Sequence, residues 1–366
     1  MTTPTLIGIP PEVFERIAQL SDDADLLAIR LVCREAASKV LRTYTEVHFS
    51  RRHIYLHRES DLRAAIPVAK HPVFGAALSE LVINVDQLQD PATSVMVDRS
   101  LSEEARLERA DQLNAIFQKQ EQLKDISTHL QLLTIVFAHT RRHGNHPVVT
   151  VDSDPPELRA NLDTCGLYIA WENTDHHKSL LVILEALALS GVKPSAFEMV
   201  DAEEQINLNT LVQKDLHIFR EALDGTSKVV LNIKFDNKDG GSVVDHGAWK
   251  FFEVIASNLA LTHLDLFEAP NDLPLGQSSV LRHVLDQRFR LLKKLVLRRA
   301  CLRASALLNF IQQTPQLEHL SLVDLELIQH ATHSLCAEGK GLEAAIQQRT
   351  HLSRVEVSGF VWEQNI

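Results

Sequence analysis

Apolar residues recur along this chain at two different periods, and the change from one to the other divides it. Near the N-terminus Val13, Phe14, Ile17 and Leu20 fall at i, i+1, i+4 and i+7, a single stripe on a helix. Pro10 and Pro11 fix torsions suited to a helix start, and Glu12 places a negative charge in its first turn. Ser21, Asp22 and Asp23 interrupt the stripe and offer capping oxygens to a second helix carrying Leu26, Leu27, Leu31 and Val32. A third helix is expected from about Arg34 to Tyr44. Three helices this short bury too little surface to be stable by themselves, so the pattern predicts a partner surface.

From Val47 onward short runs of the form L-x-x-L-x-L take over. The clearest are LTHLDL from Leu261, LKKLVL from Leu292, LEHLSL from Leu317 and LSRVEV from Leu352; weaker ones start at Leu78, Leu130, Phe197, Val230 and Ile54. Amphipathic segments lie between them at Leu101 to Ile126, Ser179 to Leu189, Leu211 to Leu223, Trp249 to Leu259, Val280 to Phe289, Ala304 to Ile311 and Leu342 to Gln348. Gly191 followed by Pro194 stops the second of these. Strand then helix, repeated, predicts an α/β chain stacked along a parallel sheet. A doubly wound nucleotide-binding domain has the same alternation, but its turns need a G-x-G-x-x-G or a G-x-x-x-x-G-K-[ST], and the chain has neither.

Length and charge narrow the function classes. At 366 residues and net charge −11 the chain is long enough for a large core and acidic overall. The first 60 residues hold eight basic and eight acidic side chains, which leaves 29 against 40 for the remainder. A balanced opening and an acidic body argue against nucleic acid, whose binding needs a basic field. Cys33, Cys165, Cys301 and Cys336 lie far apart with no C-x-x-C, which fits a reducing compartment. LLVILEALAL is too short to span a bilayer and contains Glu185, so no membrane role is expected and the cytoplasm or nucleus is.

Candidate chemistry is sparse. HTRRHGNH gathers His139, His143 and His146, but the spacing is not that of a zinc helix and Gly144, Asn145 and Pro147 point to a loop. Asp175 before His176 and His177 reads as a helix cap. No G-x-S-x-G elbow is present. SLSEEARLERADQLNAIFQKQEQL reads as a solvated helix face, and Trp249, Phe251 and Phe252 as core. No cofactor and no metal is expected.

The run IPPEVFERIAQLSDDADLLAIRLVCREA resembles the F-box: Pro10, Glu12, Val13, Ile17, Leu20, Asp22, Asp25, Leu26, Leu31, Val32, Cys33 and Arg34 fall on that family's pattern in order and spacing. Ile9 stands where Leu is usual, and Ala36 or Ala37 where Trp is frequent. The alternative is a generic helical hairpin of the larger domain. The resemblance implies an F-box at 1–46 and, at 47–366, a degenerate leucine-rich-repeat array, a pairing similar to F-box proteins abundant in filamentous fungi. It also implies a non-catalytic substrate receptor of a Skp-cullin-F-box ubiquitin ligase. Ile9, Pro10, Val13, Ile17, Leu20, Leu26, Leu31 and Val32 would then face a Skp-type adaptor, itself bound to a cullin, while the repeats hold a client protein. The alternative within that family is a scaffold that builds a structural or chromatin complex without client turnover; an enzyme comes after both.

Alternation along each strand singles out a client face. The residues just before the second Leu of the four clearest runs, His263, Lys294, His319 and Arg354, are expected to form one outward row. Phe267, Arg298 and Val323 would add an apolar, arginine-bearing edge suited to an acidic or phosphorylated client. Asp265 and Glu356, in the row between, would partly cancel the field.

Overall fold

The computed structural model describes residues 8–85, 95–96, 127–152, 168–169, 176–200, 206–208, 211–234, 243–268, 280–299, 301–324, 326–328 and 352–358, with scattered positions between 102 and 118. Nine strands form the main ladder: β1 (Arg51–Tyr55), β2 (Glu80–Asn84), β3 (Val148–Asp152), β4 (Ala196–Met199), β5 (Lys228–Lys234), β6 (His263–Glu268), β7 (Lys294–Arg298), β8 (His319–Val323) and β9 (Arg354–Ser358). Each pairs in parallel with the strand before and after it in this order, and Ile206–Asn207 joins as a tenth strand beside β5. The fold is therefore α/β, with a parallel sheet laid down in chain order.

Eleven helices lie among the described residues: α1 (Pro11–Leu20), α2 (Asp23–Val32), α3 (Arg34–Phe49), α4 (Glu59–Lys70), α5 (Phe74–Ala77), α6 (Thr128–Arg142), α7 (His176–Ser190), α8 (Gln213–Leu223), α9 (Val243–Ser257), α10 (Arg282–Leu285) and α11 (Ala304–Gln313). From α4 through α11, successive helices pack on one another. Their apolar faces meet one face of the sheet, where Leu81, Val149, Phe197, Leu231, Leu264, Leu295 and Leu320 join a single continuous core. Alternate residues such as Val82 and Val296 stay outside that core, because strand side chains point to opposite faces.

A row of backbone hydrogen bonds just ahead of the strands sets the register. The carbonyl of Ser50 accepts from Ser79 and Glu80, that of Ser195 from Ser227 and Lys228, that of Thr262 from Lys293 and Lys294, and that of Glu318 from Ser353 and Arg354. Hydroxyls repeat the link at several steps: Ser79 donates to Ser50, Ser227 to Ser195, Thr262 to Ser227 and Ser353 to Glu318. Two asparagines tie the turns behind this row. Asn145 Nδ2 donates to the carbonyls of Gly75, Ala76 and Leu78. Asn258 Nδ2 donates to those of Leu223 and Thr226, both at 2.8 Å, and its Oδ1 accepts from Gly225 and Ala260.

Several elements differ from the pattern reading. The run at Leu130 is not a strand: His129, Leu132, Leu133, Val136, Phe137 and Thr140 make a helical stripe over α6, a period longer than a six-residue window can show. The neighbouring strand is β3, whose VVTVD has no leucine. Between α3 and β2 the chain forms β1 and then α4, the latter with Pro67 inside it, where the pattern reading has only a weak strand run at Ile54. Only a four-residue helix occupies Val280 to Phe289. The predicted helix at Leu342 to Gln348, most of that at Leu101 to Ile126, and the Asp175 cap lie outside the described residues. α3 runs on to Phe49, so the boundary at 46 falls inside it.

Asn258→Ala leaves carbonyls and amides of a tight turn without four of their bonds. It should destabilise the protein by about 1–3 kcal/mol, measured by urea unfolding. Ser353→Ala, at an exposed end of the same system, should cost less than about 1 kcal/mol.

Candidate functional site

The three N-terminal helices have a core of their own. Phe14, Ala18, Leu26, Ala36 and Val40 pack together, with Ile9, Ile29 and Cys33 against them, and this cluster is separate from the main one. Asp22 caps α2 by accepting from the Asp25 amide at 2.7 Å, and the Cys33 thiol accepts from the Ala36 amide to open α3. α3 touches both α1 and α2, and its Lys39 Nζ donates to the Ile9 carbonyl. Tertiary packing claims only part of the apolar stripe. Val13 is 50% exposed, Leu20 73% and Leu31 85%, and Ile17, Leu27 and Val32 are exposed as well. Pro10 is exposed and Ile9 half-buried. Leu26, expected at the surface, is 1% exposed: it fills the small core, and its neighbour Leu27 takes the outward position.

The unit joins the sheet at β1. Phe49, the last residue of α3, stacks on Phe74 with ring centroids 4.0 Å apart, and His71 stacks on Phe74 from α4's end at 4.1 Å. Tyr44 packs on His48 and Phe49, and Arg30 of α2 lies over the Tyr44 ring.

On the outward sheet face the register aligns His263, Lys294, His319 and Arg354 across four neighbouring strands, with Lys228 next to His263. The row beyond is Asp265, Val296, Ser321 and Glu356, and the one after it contains Phe267, Arg298 and Val323. Most of the charge is cancelled on the spot. Arg298 binds Asp265 through two bonds, at 3.1 and 2.8 Å; Arg354 pairs with Glu356, Lys228 with Glu198 and Arg51 with Glu80. His319 lies 3.7 Å from Glu356, whose carboxyl is held below its usual pKa mainly by the hydrogen bond from Arg354. His263 is not a cation at neutral pH: desolvation first, then Lys294 and Lys228, lower its pKa to about 4. Arg299, held at a φ of 57°, lies over the Phe267 ring. The cation-rich row expected from alternation therefore holds a neutral His263 and an Arg354 already paired with Glu356, while Lys294 makes no ion pair among the described residues.

The three histidines of HTRRHGNH face different ways. His143 Nε2 lies 3.0 Å from the Ala69 carbonyl and His146 Nδ1 2.8 Å from that of Lys193. Desolvation, with Arg142, Lys70 and His143 adding to it, lowers the pKa of His139. The loop, whose Gly144 and His146 are exposed, also fastens α4 and α6 to the turn after α7. Among the described residues no group of three potential ligands comes together. A Ser–His contact that the sequence did not flag, His57 Nε2 to Ser179 Oγ at 3.1 Å, is buried, with the His129 ring 6.2 Å from that of His57. Phe251 and Phe252 are core, whereas Trp249 is partly exposed.

Set against known proteins, the chain matches no family model and no curated sequence. Its candidate surfaces thus rest on geometry: an apolar stripe on a small helical unit, and a sheet face on which Arg51, Lys228, Arg298 and Arg354 are each paired with a carboxylate. Among the described residues no helix is long and apolar enough to cross a membrane.

His263 makes the sheet face pH-sensitive. Its folded pKa of about 4 lies below the ordinary 6.5, so the unfolded chain takes up this proton first as pH falls. The associated stability is intact above about pH 6.5 and is lost as pH drops through about 4. The half-exposed ring reduces the effect to on the order of 1 kcal/mol. Urea unfolding of wild type and His263→Gln across that window should give the steeper loss for wild type.

Proposed function

We propose that the chain is a non-catalytic substrate receptor of a Skp-cullin-F-box ubiquitin ligase. The observation that carries this reading is the exposed apolar stripe Val13, Ile17 and Leu20, with Leu27, Leu31 and Val32, on a unit whose own core is five residues. A partner surface that covers those side chains removes them from water, and a Skp-type adaptor, bound to its cullin, is the partner that the F-box resemblance implies. The leucine-rich-repeat reading of the body is supported by strands added in chain order and by leucines stacked in register, as Leu264, Leu295 and Leu320 are. In this role the body holds a client protein beside a loaded conjugating enzyme, and the gain is effective concentration. The cytoplasm or nucleus is the setting such a complex requires.

The test uses the full chain and a purified Skp-type adaptor. Val13→Asp with Leu31→Asp changes two exposed positions, so the melting temperature should stay within a few degrees while adaptor capture falls at least about tenfold. Leu26→Asp should instead unfold the three-helix unit, because it buries a charge without a partner. Undiminished capture by the Val13/Leu31 variant would remove the stripe from the interface and this function with it. A chain that captures adaptor but supports no ubiquitin transfer to any co-purified protein would be a scaffold instead.

A further inference from the structure

The helix side of the molecule carries a groove of about 420 Å³ between α8 and α9. Its floor is apolar, with Leu216 and Val254 both buried. Along one wall Lys214, His217 and Arg220 follow one another at three-residue intervals on α8, and Lys250 stands opposite on α9. Glu253 supplies the sole carboxylate among the described lining residues. Lys214 reaches Glu185 only at 3.7 Å, and Arg220 and Lys250 make no ion pair among the described residues.

This arrangement contrasts with the sheet face, where Arg298, Arg354, Lys228 and Arg51 each have a carboxylate. On a chain of net charge −11, Arg220 and Lys250 stand at this groove with no ion pair among the described residues, and Glu253 is the one carboxylate among the described lining residues to set against its cations. A step of three residues along a helix rises about 4.5 Å, so the α8 side chains span about 9 Å, the length of roughly three residues of extended chain. Guanidinium and ammonium groups at that spacing match successive carboxylates, and Arg220 can grip one through two parallel bonds.

We propose that this groove is an interaction surface for an acidic segment of a partner protein. Its Asp or Glu side chains lie against Lys214, Arg220 and Lys250, and one apolar side chain rests on Leu216 and Val254. The site is separate from the N-terminal stripe and from the outward sheet face, and it binds whether or not an adaptor is present. Nucleic acid fits less well, because the acidic body repels a long polyanion and the floor offers aliphatic carbons rather than rings to stack on.

The probe is a fluorescein-labelled Glu-rich decapeptide with a central leucine, titrated with the full chain and followed by fluorescence anisotropy. Binding should weaken at least about tenfold for Arg220→Glu with Lys250→Glu, and should weaken between about 50 and 300 mM salt. Lys294→Glu with Arg354→Glu should leave it within about twofold, which separates this groove from the sheet face. Replacing the central leucine of the peptide by serine should also weaken it. If the double reversal perturbs the melting temperature, Arg220→Ala and Lys250→Ala singly should each show a smaller loss in the same direction. An affinity unchanged by the groove substitutions, no binding of the peptide by the parent chain, or equal affinity for oligothymidylate of the same length would each overturn the assignment.

Discussion

The carbonyl just ahead of each strand is the constraint on which the sheet depends. At Ser50, Ser195, Ser227, Thr262, Lys293 and Glu318 it accepts from the amides of the first residue of the next strand and of the residue just ahead of it, so the strands begin in line. Strand side chains have a period of two, so a slip of one residue would turn a whole set of leucines outward and a whole set of charges inward. Leu264, Leu295 and Leu320 share one column in the core because His263, Lys294 and His319 share the neighbouring column outside it. Asn145 and Asn258 extend the same control to the turns that lead into the strands.

The same register explains why the outward face is quiet electrostatically. Arg298 and Asp265 come from strands thirty-odd residues apart in sequence, yet parallel pairing brings them within 2.8 Å. Once a carboxylate is fixed there, the arginine is occupied, and the remaining lysines flank a histidine that desolvation keeps neutral. The helix layer is under no comparable pairing rule. Its outward side chains project from α8 and α9 without a ladder to align acids with bases, so Arg220 and Lys250 can remain without an acid.

Much of the ladder was legible from the chain. The runs at Leu261, Leu292, Leu317 and Leu352 correspond to β6 through β9, and the outward row follows from alternation alone. α1 and α2 follow from their stripes and from the acids that separate them, and Gly191 does end α7, at a φ of 66°. What escaped has physical reasons. β3 is β-branched rather than leucine-rich, and α4 contains a proline. Leu26 and Leu27 are adjacent, and only the packing of α3 decides which points inward. The Arg298–Asp265 pair needs the register before it can be seen. Arg220 and Lys250 stand thirty residues apart on different helices, and no local pattern links them. One signal was present but unused: Ser or Thr directly ahead of β2, β4, β5, β6 and β9 marks where the strands start.

The stacked rings of Phe49, Phe74 and His71 make α3 behave like a keyed shaft. The helix enters the sheet without a flexible linker, with only Ser50 between Phe49 and Arg51. Its length in residues therefore encodes an angle. One residue added to or removed from α3 would turn the whole sheet by about 100° about the helix axis while shifting it only about 1.5 Å. The direction in which the body faces, relative to the exposed side chains of Val13 and Leu31, is thus stored in the count of residues between Arg34 and Phe49. A chain of this design can change its leucines and its charges gradually, but it can change that count only by whole helical turns.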